Sequence, residues 1–74
     1  TAFTRVRRRL CDLVDAYQDG IVPLTQEDLA AMAGTSRATV NRVLRDEVKR
    51  GSVAHQRGRI TILDADDLAR RCLR

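Results

Sequence analysis

Between Thr25 and Gly51, two stretches with helical spacing of apolar residues are separated by little more than one glycine, Gly34. Thr25 precedes Gln26-Glu27-Asp28, a hydroxyl cap followed by acids where the helix dipole favours negative charge. Asp28 stands where a capping box has Glu or Gln and is a shorter substitute. Leu29, Met32 and Ala33 are predicted to face inward, while Ala30 and Ala31 keep the helix slim. Thr35-Ser36 cap the second helix, predicted over 36–50 and stopped by Gly51. Two short helices joined by a tight Gly-containing turn form a helix-turn-helix, here over about 25–50.

The remaining residues must cover this pair. Phe3, Val6, Leu10, Leu13, Val14 and Tyr17 recur at helical spacing, with Arg5, Arg7, Arg8, Arg9, Asp12 and Asp15 on the other face. They predict a helix over about 4–19, with Gly20 as its C-cap. Residues 21–24 are apolar but contain Pro23, which has no N–H for a central ladder, so at best they form an edge strand. Val53–Gln56 and Arg59–Leu63 flank Arg57-Gly58 and predict a hairpin, a wing over about 52–63. Asp64 caps a last helix over about 64–73, with Leu68 and Leu73 inward. The expected fold is mainly α with a small β-hairpin: a winged helix-turn-helix, one domain over 1–74.

Composition narrows what such a domain does. A chain of 74 residues buries only about 60% of its unfolded surface, too little to wall in a large substrate pocket. No Ser-His-Asp or paired-carboxylate arrangement is recognisable, and the chain reads as no enzyme. Cys11 and Cys72 lie far apart, without a C-x-x-C, and His55 is alone, so no zinc site is expected. The two cysteines are read as reduced, partly buried thiols; a disulfide would require the first and last helices to touch. Phe3 and Tyr17 are the only aromatics, which disfavours single-strand or RNA recognition by stacking. No run approaches the roughly 20 apolar residues of a membrane span, so no membrane partner and a cytoplasmic location are expected. The chain opens on Thr1 rather than Met and reads as one domain of a longer protein.

Charge points to a polyanion. Fourteen basic residues against ten acidic give +4, and only Lys49 of the fourteen is not Arg. On a wheel of about 100° per residue, Val40, Val43, Leu44 and Val48 share one side of the second helix. Arg37, Ala38, Asn41, Arg42, Arg45 and Lys49 occupy the opposite arc, and Asp46 and Glu47 lie off it. A charged arc is ordinarily a solvated face. Here it lies on the second helix of a helix-turn-helix, and basic residues recur at the wing, at Arg57 and Arg59. A helix fits the major groove of B-DNA, where Arg37 and Arg42 can each pair with guanine O6 and N7. Thr35 and Ser36 face a helix N-terminus, a natural phosphate seat, and Thr25 and Gln26 can grip the same backbone. Plain capping is the competing role for Thr25, Thr35 and Ser36, and the two roles are compatible.

These residues carry a resemblance. Leu24-Thr25-Gln26-Glu27-Asp28-Leu29-Ala30 and the run from Gly34 to Leu44, Gly-Thr-Ser-Arg-Ala-Thr-Val-Asn-Arg-Val-Leu, resemble the DNA-binding domain of the cyclic-AMP receptor protein and fumarate-nitrate regulator family. The likeness continues through Gly51, the Arg57-Gly58-Arg59 wing and the Ile62-Leu63-Asp64 ending. It implies a bacterial transcription regulator that is cytoplasmic and nucleoid-associated, and a homodimer on a palindromic operator in double-stranded DNA. RNA polymerase is a further implied partner. This chain is expected to hold no cofactor, because a cyclic nucleotide or other effector would bind a preceding domain. The fragment itself is expected to be monomeric.

The family pattern places base contacts at Arg37 and Arg42 and backbone contacts around Thr25, Ser36 and Thr39. It usually has Glu where this chain has Ala38, which offers a methyl group instead of an acceptor for cytosine N4. Ser52 stands where the family tends to place a large apolar residue, so looser packing is expected at the start of the wing. A winged helix that contacts the transcription machinery without reading DNA is the alternative.

Overall fold

The structure is a computed structural model and describes residues 1–72. Seven elements follow in order: α1 (Ala2–Ala16), β1 (Ile21–Val22), α2 (Gln26–Ala33), α3 (Arg37–Arg50), β2 (Val53–Gln56), β3 (Arg59–Ile62) and α4 (Ala65–Cys72). The strands form one antiparallel sheet in the order β1-β3-β2, with Val22 opposite Ile60 and His55 opposite Ile60 on its other side. The fold is a winged helix-turn-helix of four helices and a small sheet. Leu73, predicted inward, lies outside the described residues.

Side chains from every element meet in one core. Val6, Leu10 and Leu13 of α1 pack with Leu29, Ala30 and Ala33 of α2 and with Val40, Val43 and Leu44 of α3. Val22, Val53, Ile60 and Leu68 close it from the sheet and α4.

Local chemistry sets the boundaries. Thr25 accepts from the Asp28 amide while the Asp28 carboxylate accepts from the Thr25 amide, so Asp28 completes a reciprocal capping box despite its short side chain. Gly34 adopts a left-handed conformation at φ 65°, which ends α2 without the steric cost of a Cβ and turns the chain into α3. Ser36 then caps α3 by accepting from the Thr39 amide at 3.2 Å. Asp64 does the same for α4 through the Asp67 amide.

Several details depart from the sequence reading. Helix α1 ends at Ala16, not near residue 19, and Gly20 is not its cap. Gly20 instead lies against β3: its carbonyl accepts from Ile62 N at 2.7 Å, and a Cβ there would sit 2.8 Å from the Ile62 carbonyl oxygen. This close approach needs a glycine. Met32 is exposed and Ala30 takes the inward position, since the buried face of α2 runs through Leu29, Ala33 and Ala30.

Val48 is likewise exposed, and the residue buried in its stead is Glu47. Ser52 is fully buried, so the start of the wing is not loose. Its hydroxyl donates to Glu47 at 2.6 Å, a polar contact where an apolar one was expected. Finally, Cys11 and Cys72 are not separate thiols. α1 packs along α4, and the two cysteines are joined by a disulfide across 61 residues of sequence.

Candidate nucleic-acid interface

Glu47 anchors the helix that presents the site. Its carboxylate is shielded from solvent and accepts from Arg7 Nε at 2.8 Å, from Arg71 Nε at 2.9 and 3.1 Å, and from Ser52. Burial alone would raise its pKa, but the hydrogen bonds from Arg71, Ser52 and Arg7 and the charge of Arg71 outweigh that and lower it to about 2. Hydrogen bonds to Glu47 and then Asp67 raise the Arg71 pKa further. Arg7 also reaches Asp46 at 2.8 Å, and Arg50 holds Asp46 at 3.0 Å. The two acids of α3 are thereby neutralised on the side facing α1 and α4.

Other arginines are also committed to structure. Arg5 Nε donates to the Ala33 carbonyl at 3.2 Å and Arg9 Nε to the Met32 carbonyl at 3.1 Å, serving the orphan acceptors at the end of α2. Much of the net positive charge therefore binds the fold together.

Exposed basic residues occur on α3 and the wing, and also at Arg8 of α1 and Arg70 of α4. Arg37, Ala38, Arg42, Arg45 and Lys49 of α3 are open to solvent or partly so, as are Arg57 and Arg59 of the wing. Arg37 Nε donates to Gln26 Oε1 at 3.2 Å and Arg37 lies 3.4 Å from Glu27. Gln26 donates in turn to Asn41 at 3.1 Å, tying the start of α2 to the middle of α3. Arg59 is held by Gln56 of the opposite strand. Arg42 lies over the Phe3 ring, 5.4 Å from its centre. Arg45, Lys49 and Arg57 have no side-chain hydrogen bond or ion pair among the described residues.

Between the start of α2, the start of α3 and the wing tip lies an open cleft of about 430 Å³. Thr25, Gln26, Glu27 and Arg37 line one wall, and His55, Gln56, Arg57 and Gly58 line the other. Two helix N-termini open toward this region. Among the described residues, the amides of Arg37 and Ala38 have no acceptor, as is normal for a first helical turn. Thr35 does not contribute its amide there: it donates to the Ala30 carbonyl at 3.0 Å and closes the end of α2. The Ser36 and Thr39 hydroxyls bond to each other at 3.1 Å in the same first turn.

His55, Gln56 and Glu27 are cleft residues that the sequence reading does not single out. His55 and Gln56 end β2 directly before Arg57, so their place at the wing tip is a signal available in the hairpin pattern. Glu27 stands out in the sequence only as a first-turn acid favourable to the helix dipole. Its proximity to Arg37 also places one negative charge at the cleft. Among the described residues, no group of three or more metal-ligating side chains is present.

The architecture defines a winged helix-turn-helix with a basic second helix. Residues 4–71 match the Crp-like helix-turn-helix domain, and the chain belongs to that family. It is 44% identical over 48 residues to a CRP-like cAMP-activated global transcriptional regulator of Mycobacterium tuberculosis, a match covering 65% of this chain and 21% of that protein. The catabolite activator protein of Thermus thermophilus superposes with a TM-score of 0.88 at 32% identity, over 97% of this chain and 34% of that one. A CRP-family transcriptional regulator, also from Thermus thermophilus, superposes with a TM-score of 0.83 at 26% identity, over 100% of this chain and 41% of that one. The chain thus spans between about a fifth and two fifths of the length of these relatives.

Proposed function

We propose that the chain is the DNA-binding output domain of a transcription regulator and reads double-stranded DNA with α3 in the major groove. One observation supports this most: α3 pairs both its acids, buried Glu47 with Arg7 and Arg71 and half-exposed Asp46 with Arg7 and Arg50, and leaves Arg37, Arg42, Arg45 and Lys49 outward. A helix used only for packing has no need of that sorting. In this reading Arg37 and Arg42 address guanine edges, and Asn41 and Ala38 lie between them. Thr25, Ser36 and Thr39, with the amides at the start of α3, take backbone phosphates. The wing arginines Arg57 and Arg59 follow the flanking phosphates.

The partner is a palindromic operator bound by a homodimer of the intact regulator, with RNA polymerase a further contact. An effector such as a cyclic nucleotide acts through a separate part of that protein, and no catalytic role is assigned to this chain. No helix among the described residues is long and apolar enough to cross a membrane, in keeping with a cytoplasmic regulator.

Two substitutions separate reading from gripping. Arg42→Ala is expected to cost about 1–3 kcal/mol on an enriched half-site and relax preference at one G·C pair. Arg57→Ala should weaken all sequences alike and flatten the salt dependence by about one unit of slope. Titrations on enriched and random duplexes at several salt concentrations measure both. Equal losses on both duplexes for Arg42→Ala would rule out base reading by that side chain.

Position 38 tests how deep α3 sits. Ala38→Glu adds an acceptor where a methyl group now points outward, and should sharpen preference for cytosine at the facing position. Sequences selected by the two forms report it directly, and identical selections would mean that residue 38 does not face the bases.

A further inference from the structure

The same α3 face has a competitor within the chain. Phe3, in the first turn of α1, is the only phenylalanine, and it is 38% exposed despite its place in an apolar stripe. The Arg42 guanidinium lies over its ring, 5.4 Å from the centre, a distance at which the negative ring face attracts a cation. The usual acceptor for Arg42 would be Asp46, one turn further along α3. That carboxylate is already held by Arg7 at 2.8 Å and Arg50 at 3.0 Å. Arg42 is left with the aromatic ring.

The direction of this contact matters. On the wheel, at about 100° per residue, Arg37, Asn41, Arg45, Ala38 and Lys49 precede Arg42, which closes the arc. Beyond Arg42 come Asp46, Thr39, Arg50 and then Val43, and of these Asp46 and Val43 meet α1. Phe3, Arg7, Arg42, Val43 and Asp46 line one shallow hollow, so the ring lies on this α1-facing flank. An Arg42 side chain over Phe3 therefore leans away from the centre of the arc that would enter the groove.

We infer that Phe3 is a positioning residue for Arg42: its ring holds the guanidinium against α1 in the free protein and competes with guanine for it. The inference rests on the base-reading role given to Arg42 above. Removing the ring while keeping apolar bulk, as in Phe3→Leu, frees Arg42. Exposed contacts of this kind correspond to about a 2–5-fold change in an equilibrium constant. Phe3→Tyr keeps an aromatic face and should behave as the parent chain does.

The test uses the 74-residue chain, a duplex it enriches from a random pool, and a random duplex. Phe3→Leu should bind the enriched duplex about 2–5-fold more tightly, bind random DNA as before, and melt close to the parent chain. The gain should disappear when Arg42→Ala is also present. Unchanged or weaker binding of the enriched duplex by Phe3→Leu would overturn the inference, as would an equal gain without Arg42. These results are distinct from failure of the base-reading role itself, which shows as an Arg42→Ala single variant that discriminates as well as the parent; that outcome removes both.

Discussion

Two copies of the chain joined through an added coiled coil are expected to bind a palindromic duplex about 10²–10⁴-fold more tightly than the single chain. The expectation follows from size. The domain measures 28 × 25 × 23 Å, shorter than the roughly 34 Å of one DNA turn, so one copy covers one half-site. A single α3 and a single wing neutralise few phosphates, and non-specific binding by such modules lies around 10⁻⁴–10⁻⁶ M at physiological salt. Linking the second copy makes its binding intramolecular, at an effective concentration set by the linker. The gain depends on geometry. Inserting about five base pairs between half-sites turns the second one to the opposite face of the duplex, and the gain should vanish. A single chain that already binds at nanomolar strength, indifferent to spacing, would contradict this.

The largest stability effect is expected at Glu47. Glu47→Ala leaves Arg7 and Arg71 facing a buried space without the carboxylate that both use, and breaking a buried ion pair in this way costs about 3–5 kcal/mol. In a domain of this size that lowers Tm by roughly 15–30 °C. Asp46 and Asp67 still pair with the two arginines, so the lower end is the better expectation. Thermal melts followed by circular dichroism measure it, and a Glu47→Ala chain melting within about 3 °C of the parent would show that the network contributes little.

The same group sets an acid limit. A carboxylate with a pKa near 4.5 when unfolded and about 2 when folded contributes its stability in full above the unfolded value. That contribution is lost as pH falls from about 4.5 toward 2, since protonation then favours the unfolded chain. Asp67, lowered by its hydrogen bond from Arg71, adds in the same direction. Glu47→Gln should lack most of this acid dependence.

Glu47 also shows where sequence reading stops. The helix-turn-helix is legible because its signals are local: Thr25 and Ser36 each cap a helix within three residues, and Gly34 needs a left-handed backbone. The basic arc of α3 is legible for the same reason, since wheel position follows from spacing alone. A strict wheel puts Glu47 between Val43 and Val40, on the inner side, and Val48 beside Arg37, so the position is legible; what spacing does not supply is a partner for a buried carboxylate. Its partners Arg7 and Arg71 lie 40 and 24 residues away, and only the tertiary fold brings them together. Helical geometry turns Glu47 inward and Val48 outward, and the two arginines satisfy the carboxylate that results.

Ser52 escapes sequence reading in the same way. An apolar residue is the family's habit at that point, and the buried carboxylate calls instead for a hydroxyl donor. The Cys11–Cys72 bridge depends on contact between the first and last helices, which neither helix announces alone. Met32 turns outward because the buried face of α2 is centred on Leu29, Ala33 and Ala30, to one side of it.

Selection of bound sequences from random duplex DNA by the joined form tests the central claim most directly. The account predicts a two-fold symmetric sequence with half-sites about one helical turn apart, each holding a G·C pair whose enrichment disappears with Arg42→Ala. Recovered pools with no shared sequence, or a shared sequence that survives Arg37→Ala and Arg42→Ala together, would contradict it.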